Sequence, residues 1–404
     1  MAAKVDERCK LSEGKGENKM RTPLEYGKLA CDMIMKKYSP AQLPPKGVLF
    51  YHQGVCLSGM EKIYQLSGEK KYFDYIKAYI DSVIGGNGEV FGIDHEVTEF
   101  KEKLTWEEYV QLNSLTMLDC KQPVILMYNL YKETGNEKYK KAIQTISESM
   151  YYWPINNYGG YWHMMTQHQQ MWLDGAYMAG PFSVLYSNFS GDGRLRERAI
   201  QQVFIMHEHM KDEKSGLYFH GWDPSHKTKW ADANTGCSSQ IWGRAVGWYA
   251  VAILDILENI SEQHPAVNRL KEIEADLLQA LVKYQDKKNG MWYEVLDKPE
   301  CEGNWVESSC TNLFIYSYAK ALRMGVIGKE YCEVIERAYK GIEDGLYFDE
   351  NENLVIDRVC IGTCIDEGTY EHYINRQQIQ NDLHGVGAFV LMCSEMERYR
   401  KLKQ

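Results

Sequence analysis

A single aspartate, Asp174, stands between Trp172 and an apolar stretch with helical spacing. Apolar residues recur after Leu173 at about the period of an α-helix, and Pro181 within the stretch predicts a kink. A carboxyl group beside aromatic rings at the start of such a helix is partly removed from water, which raises its pKa. Asp174 is therefore a candidate proton donor near neutral pH. The alternative is a helix N-cap or a buried, hydrogen-bonded carboxylate, the usual role of an isolated aspartate.

A second carboxylate, Asp119, opens another apolar segment, SLTMLDCKQPVILMYNLY, which we predict to be a helix over 113–132. If Asp119 and Asp174 share one cleft, their proximity keeps one of the two carboxyl groups protonated, as in glycosidases. The alternative for Asp119 is a charge that complements the dipole at a helix N-terminus. The pair indicates acid–base chemistry on a sugar.

Five further side chains, of three kinds, are candidates for substrate binding. His163 and His220 lie in loops at equivalent places of successive repeats, which favours substrate contact over an ordinary surface position. The segment GCSSQIWGRAVGWYAVAILDIL holds Trp242, Arg244 and Trp248. Arg244 and Trp248 are four residues apart and share one helix face, so an arginine fork for a carboxylate would stand beside a ring for stacking. The alternative is a packed helix with an outward arginine, but the neighbours of Arg244 are Gly, Ala and Trp rather than other charges.

The rest of the chain reads as about a dozen helices with almost no convincing strand. Short connections repeat a glycine and a polar turn, as in QLSGEKKYFDYI, KETGNEKYKKAI and NFSGDGRLRERAI. Long connections repeat glycine ahead of aromatic residues, as in YGGYWH, SGLYFHGWD, NGMWYEVLD and DGLYFDENEN. Such internal similarity predicts an all-α (α/α)6 barrel of six helical hairpins. Its long connections would meet at one end and place the N-termini of the inner helices around one aromatic cleft.

The composition limits the classes of partner. The chain has 404 residues and a net charge of −10, which argues against non-specific binding to nucleic acid or to an anionic membrane. It contains 29 Tyr and 10 Trp, and aromatic faces in a polar cleft commonly hold sugars, although a large core also accounts for them. No apolar run of about 18 residues occurs, so we expect no membrane span.

The remaining expectations concern domains, location and cofactors. Residues 1–22 are expected to form a flexible extension and 23–404 a single catalytic domain. The N-terminus has no apolar signal segment, and an odd count of 11 cysteines suits reduced thiols in the cytoplasm. Cys360 and Cys364 have no second pair and are not expected to bind zinc. We predict no metal and no cofactor.

Four segments resemble a known family: WLDGAYMAGPF, SSQIWGRAVGWYA, ESSCTNLFIYSYAKALRMG and NDLHGVGAFVLMCSE. They closely resemble glycoside hydrolase family 105, the unsaturated rhamnogalacturonyl hydrolases, and the similarity spans roughly 25–398. The family is similar in fold to the barrel predicted above. The resemblance implies that Asp174 is the general acid/base and Asp119 the second active-site acid. It also implies that the substrate pocket is lined by His163, His220, Trp242, Arg244 and Trp248.

The resemblance further implies the reaction. The family's substrates are products of pectin-type lyases, which carry a 4,5-unsaturated uronic acid at the non-reducing end, and the bond attacked first is the C4=C5 vinyl ether. The alternatives are an unsaturated glucuronyl hydrolase acting on ulvan or glycosaminoglycan fragments, a sugar epimerase on the same barrel, or a sugar-binding module. A binding module would need Arg244 and the aromatic residues but no proton donor at Asp174.

Overall fold

The computed structural model describes residues 21–90 and 105–403, so the predicted extension over 1–22 lies almost wholly outside the described residues. Within them the chain forms fourteen α-helices: α1 (Pro23–Lys37), α2 (Tyr51–Ser67), α3 (Lys70–Val83), α4 (Trp106–Asn113), α5 (Ile125–Thr134), α6 (Glu137–Ser149), α7 (Gly175–Ser190), α8 (Arg194–Met210), α9 (Gly243–Asn259), α10 (Val267–Val282), α11 (Ser308–Arg323), α12 (Cys332–Gly345), α13 (Tyr370–Ile374) and α14 (Leu383–Lys403). Six two-residue strands form three antiparallel pairs: β1 (Met171–Trp172) with β2 (Gly221–Trp222), β3 (Tyr347–Phe348) with β4 (Leu354–Val355), and β5 (Val359–Cys360) with β6 (Gln378–Ile379).

Twelve of these helices alternate between two concentric layers. The inner ring consists of α2, α5, α7, α9, α11 and α14, and the ring closes where α14 packs against both α2 and α11. Most inner helices are buried around nearly their whole circumference, as expected for helices enclosed by a second layer. The outer helices α1, α3, α6, α8, α10 and α12 bury one face; in α12 that face is Ile335, Ala338 and Ile342. The predicted (α/α)6 barrel is confirmed.

The repeated glycine turns join three of the inner helices, α2, α5 and α7, to the next outer ones. Gly68, Gly135 and Gly191 end α2, α5 and α7 in the left-handed conformation, with φ of 73°, 64° and 78°. Glycine has no Cβ to clash in that conformation, and its amide donates to a carbonyl of the last helical turn. These three turns are the ones that the repeated sequence pattern predicts.

One predicted helix begins later than expected. The stretch over 113–132 is not continuous: two short 3-10 turns, Leu118–Cys120 and Gln122–Val124, precede α5. Pro123 has no amide hydrogen and disfavours the α conformation in the residue before it, which explains the delay. Asp119 therefore lies in a 3-10 turn above an inner helix, and the prediction that it opens the helix itself is wrong in this detail.

Within the described part of the chain, none of the helices combines the length and apolar character needed to cross a bilayer. The ten cysteines of that part are all free thiols.

Candidate active site

The long connections enclose a cavity of about 550 Å³ at one end of the barrel. Five of the six inner helices contribute lining residues at or just before their N-termini, as predicted from the alternation of connections. The chemically relevant lining residues are three aspartates, three histidines and several aromatic side chains: Asp119, Asp174, Asp382, His52, His163, His220, Tyr51, Trp172 and Trp242. A surface groove of about 680 Å³ beside Tyr152 is larger. Its arginine, Arg194, is already paired with Asp192, so the barrel-end cavity is the better candidate.

A short antiparallel ladder brings Asp174 and His220 together. Trp172 in β1 pairs with Gly221 in β2, and the amide of Leu173 donates to the carbonyl of His220 at 2.8 Å. Asp174 follows directly and stands at the N-cap of α7, yet its side chain makes no capping hydrogen bond. Its Oδ2 atom instead lies 3.3 Å from Nε2 of His220. The capping alternative for Asp174 is therefore not what the structure shows.

The pKa of Asp174 is shifted in the direction opposite to the one expected from sequence. Burial raises it, but the neighbouring imidazole of His220 and the more distant His163 together outweigh burial, so the pKa lies below its ordinary value of 3.8. Beside these two histidines Asp174 is thus a carboxylate at neutral pH. The sequence argument included desolvation and could not include the histidines, because they come from other repeats.

Tyr373 fixes the other side of the His220 ring. The Tyr373 hydroxyl lies 2.7 Å from Nδ1 of His220, and burial raises the pKa of this phenol well above its usual range. Burial also lowers the pKa of His220, which favours the neutral imidazole. A protonated phenol donating to Nδ1 leaves the single ring proton on Nε2, facing Asp174. Sequence analysis missed Tyr373, which is carried by the five-residue helix α13.

A second aspartate–histidine pair is built in the same way one repeat earlier. The amide of Leu118 donates to the carbonyl of His163 at 3.1 Å, and this places Asp119 Oδ2 3.2 Å from His163 Nε2. The His163 ring is stacked on Trp172, with centroids 4.5 Å apart and planes 11° from parallel. Trp172 also meets His220 edge-on at 5.6 Å. One indole ring therefore lies between the two aspartate–histidine pairs.

Trp242 and Arg244 form the adjoining wall. Trp242 lines the cavity, and the Arg244 guanidinium lies over its ring at 4.6 Å. Arg244 itself is 1% exposed and lies behind the lining surface. Its Nη1 donates to the carbonyl of Cys360 at 2.6 Å and contacts His384, while Nε and Nη2 have no hydrogen-bond partner among the described residues. The structure thus places Arg244 next to the cavity but not on its surface.

Trp248 is not where the sequence analysis expected it. It is 1% exposed, does not line the cavity, and stacks on Tyr177 of α7 with centroids 4.6 Å apart. Residues four apart share a helix face. Trp248, however, lies one helical turn further along α9 than Arg244, and this turn is farther from the cavity and enclosed by the other inner helices. In this structure Trp248 is a core residue, so the prediction that it lines the substrate pocket is corrected.

One group of side chains has the composition of a metal site. Ligand atoms of His52, Asp382 and His384 lie within 4.8 Å of one another. However, His384 Nδ1 already faces Asp382, and its Nε2 accepts from the Arg244 guanidinium. A positive charge in contact with a ligand nitrogen opposes the binding of a cation. We assign no ion to this cluster. Asp382 is an anionic lining residue: burial raises its pKa, but the adjacent His384 lowers it by more, so the pKa lies below its ordinary value.

Behind the wall, a buried carboxyl group holds Trp242 in place. Glu294 accepts the Trp242 indole N–H at 2.9 Å. Burial and the nearby Glu307 raise its pKa from 4.5 to about 8, against the opposing effect of Arg244. Glu294 is fully buried and was not identified from the sequence.

We expect Glu294→Gln to reduce the pH dependence of stability. Because the pKa is higher in the folded chain, this group contributes stability that is complete below 4.5 and is lost as the pH rises towards about 8. A pKa that is higher by one in the folded chain than in the unfolded chain corresponds to about 1.4 kcal/mol of stability. Glutamine keeps the acceptor for Trp242 without a charge, so the melting temperature of the variant should fall less than that of the wild type over this interval. If the melting temperatures of the variant and the wild type fell by the same amount over this pH interval, Glu294 would not titrate within it.

A closed (α/α)6 barrel whose aromatic cavity contains two aspartate–histidine pairs is typical of a carbohydrate-active enzyme. Comparison with known proteins agrees. The family model Glycosyl Hydrolase Family 88 matches residues 26–400. The solved glycoside hydrolase from family 105 of C. acetobutylicum ATCC 824 is 29% identical, covers 92% of this chain and 99% of its own, and superposes with a TM-score of 0.83.

Two curated relatives are also similar to the chain. Protein Atu3128 of Agrobacterium fabrum is 29% identical over 230 residues, 54% of this chain and 97% of its own length. Unsaturated rhamnogalacturonyl hydrolase YesR of Bacillus subtilis is 24% identical over 330 residues, 80% of each chain. The chain belongs to Glycosyl Hydrolase Family 88 and is a glycoside hydrolase. The resemblance to family 105 found in the sequence is confirmed by the solved family 105 structure and by the similarity to YesR.

Proposed function

We propose that the enzyme removes a 4,5-unsaturated uronic acid from the non-reducing end of lyase-generated oligosaccharides of the rhamnogalacturonan type. The proposal is based on the environment of the Oδ2 atom of Asp174. This atom is buried at the cavity, faces His220, and has no hydrogen bond that would tie it to the helix. A carboxyl oxygen held in this way is free to exchange a proton with a bound substrate.

The reaction begins with proton transfer from Asp174 to C4 of the vinyl ether. The π electrons of the C4=C5 double bond form the new C4–H bond, the C4–C5 single bond remains, and positive charge develops at C5, next to the ring oxygen. A water molecule attacks C5, and the Asp174 carboxylate takes its proton, so that the same residue acts first as acid and then as base. The resulting hemiketal opens to a 5-keto-4-deoxyuronate and releases the remaining sugar.

Asp174 must be protonated when the substrate is bound, although His220 and His163 lower its pKa. A bound uronate brings a negative charge into a site from which it also displaces water. Both effects disfavour a second negative charge and raise the pKa of Asp174. Asp119 adds to them as a neighbouring carboxylate, and its contact with His163 orients that ring against Trp172.

The aromatic residues and histidines supply the sugar-binding surface. Trp172 and Trp242 line the cavity with indole rings of the kind on which sugar rings stack. His163 and His220 line it with ring nitrogens that face Asp119 and Asp174. The Tyr373–His220 contact holds one of these nitrogens in a defined orientation. The free thiols of the described residues suit a cytoplasmic enzyme that processes small, imported fragments.

The preference for rhamnogalacturonan fragments rests on the similarity to YesR along four fifths of the chain. A panel of lyase-derived disaccharides tests it, with the absorbance of the conjugated double bond as the signal. We expect the fastest loss with an unsaturated galacturonyl residue linked to rhamnose. Faster consumption of unsaturated glucuronyl fragments would transfer the assignment to that class. Binding without any loss of absorbance would indicate a sugar-binding protein.

A further inference from the structure

The proposed substrate is an anion that must enter an acidic cavity. Three carboxylates line the cavity, namely Asp119, Asp174 and Asp382. The whole chain also carries a net charge of −10. Without a local cation, the approach of a uronate to these groups is unfavourable. Such a cation is therefore expected in the cavity wall, and its assignment rests on the proposed function.

Arg376 is the one lysine or arginine among the described residues that line the cavity. It lies between α13 and β6 and is half-buried. Its Nε donates to the carbonyl of Gly362 at 2.6 Å. Neither Nη atom makes a hydrogen bond or ion pair with a described residue. This contrasts with Arg194 and Arg323, each of which is bonded to a carboxylate.

The Gly362 contact orients the guanidinium. Gly362 has φ of +124°, a conformation that side-chain-bearing residues rarely adopt, so the direction of its carbonyl depends on glycine. Because Nε donates to that carbonyl, the plane of the Arg376 guanidinium is fixed. The edge formed by Nη1 and Nη2 remains available to a ligand. Two parallel N–H donors along such an edge match the two oxygens of a carboxylate.

Other cations are placed less favourably. Arg244 is enclosed by Cys360, His384 and Trp242, is 1% exposed, and is not among the residues that line the cavity. Burial lowers the pKa of Lys121, whose ammonium lies over the Trp153 ring outside the lining. Burial also lowers the pKa of His220, which keeps its ring neutral.

We infer that Arg376 is the specificity-determining residue that binds the carboxylate of the unsaturated uronic acid. Arg244 then acts from behind the wall as a positioning residue for Trp242 and His384. This division of roles revises the sequence-based prediction, in which Arg244 itself held the carboxylate.

The test measures binding and turnover separately, with an unsaturated disaccharide as the free acid and as its methyl ester. Binding is followed by tryptophan fluorescence. We expect the wild type to prefer the acid by at least about tenfold in Kd, the usual scale of a charge-assisted pair. Arg376→Gln should bind the acid about tenfold more weakly and the ester as well as the wild type does. Arg376→Lys should restore part of the preference, because it keeps the charge but not the fork.

Arg198→Gln is the matched control. Arg198 is also half-buried and donates to the carbonyl of a loop glycine, Gly159, but it lies outside the cavity. The variant should preserve the acid preference. Arg244→Lys should weaken both ligands alike, because the residue acts through Trp242.

The inference is overturned if Arg376→Gln keeps the full acid preference, or if Arg244→Lys alone removes it. It is also overturned if the wild type binds acid and ester equally. A different result would contradict the proposed function: the wild type would bind the unsaturated acid selectively but would never consume the double bond. In that case a loss of acid preference in Arg376→Gln still supports the assignment of the carboxylate site.

Discussion

Asp174→Asn is expected to lower kcat by about a hundredfold to ten-thousandfold, the typical contribution of a positioned general acid. Substrate affinity should change little. Asparagine has nearly the shape of aspartate, and the wild-type carboxylate makes no capping hydrogen bond whose loss would disturb α7. Stopped-assay rates and fluorescence-based Kd values on the same preparation separate the two effects.

A surface variant, Asp344→Asn, serves as the control for Asp174→Asn. Asp344 is exposed and pairs with Lys340 one helical turn away, so its substitution should leave both kcat and Kd unchanged. If Asp174→Asn retained more than about a tenth of the wild-type kcat, the loss would be too small for general acid catalysis. Asp174 would then have to be abandoned as the proton donor.

Asp119→Asn is expected to lower kcat by roughly a hundredfold and to change its pH dependence. Asp119 lies in the same cavity as Asp174, and removing its negative charge lowers the pKa of Asp174 in the substrate complex. The reactive, protonated form of Asp174 is then lost at a lower pH. The alkaline limb of the kcat profile, which reports the enzyme–substrate complex, should therefore shift towards acid.

Asp366→Asn provides the comparison for this variant. Asp366 is a half-exposed carboxylate whose charge is felt at the cavity residues Tyr109 and Cys364. Its φ is +46°, a conformation that asparagine tolerates well. We expect a small change in kcat and no shift of the alkaline limb. If Asp119→Asn lowered kcat but left the alkaline limb of the kcat profile unchanged, the role of Asp119 would be only to orient His163.

The positions of the main candidate residues followed from repeats in the sequence. Inner helices begin at the same end of the barrel, so Asp119 and Asp174, which precede α5 and α7, were expected to share a cleft. His163 and His220 were expected beside them because they occupy equivalent places in the long connections. The structure brings all four side chains to one cavity, and it pairs each aspartate with a histidine through backbone bridges that the glycine-aromatic pattern does not specify.

Residues contributed by distant segments could not be found in this way. Tyr373 contacts His220 across 153 positions of sequence, and Arg376 lies in the stretch NRQQIQND, which has no helical or strand periodicity. The lowered pKa of Asp174 has the same origin, because it depends on a histidine from the next repeat. Trp248 shows a different limit of the sequence argument. Its spacing from Arg244 correctly predicts a shared helix face, but its distance from the cavity depends on how the helices pack in the barrel.

The central claim is that Asp174 protonates C4 and water adds at C5, and the reaction in deuterium oxide tests it most directly. NMR of the released keto acid at low conversion, beside an enzyme-free sample that measures spontaneous exchange, locates the transferred deuteron. The account predicts one deuterium at C4, delivered to a single face, with loss of the double bond in step with release of the second sugar. Release of that sugar with the C4=C5 bond intact, or deuterium distributed equally over both faces of C4, would contradict it.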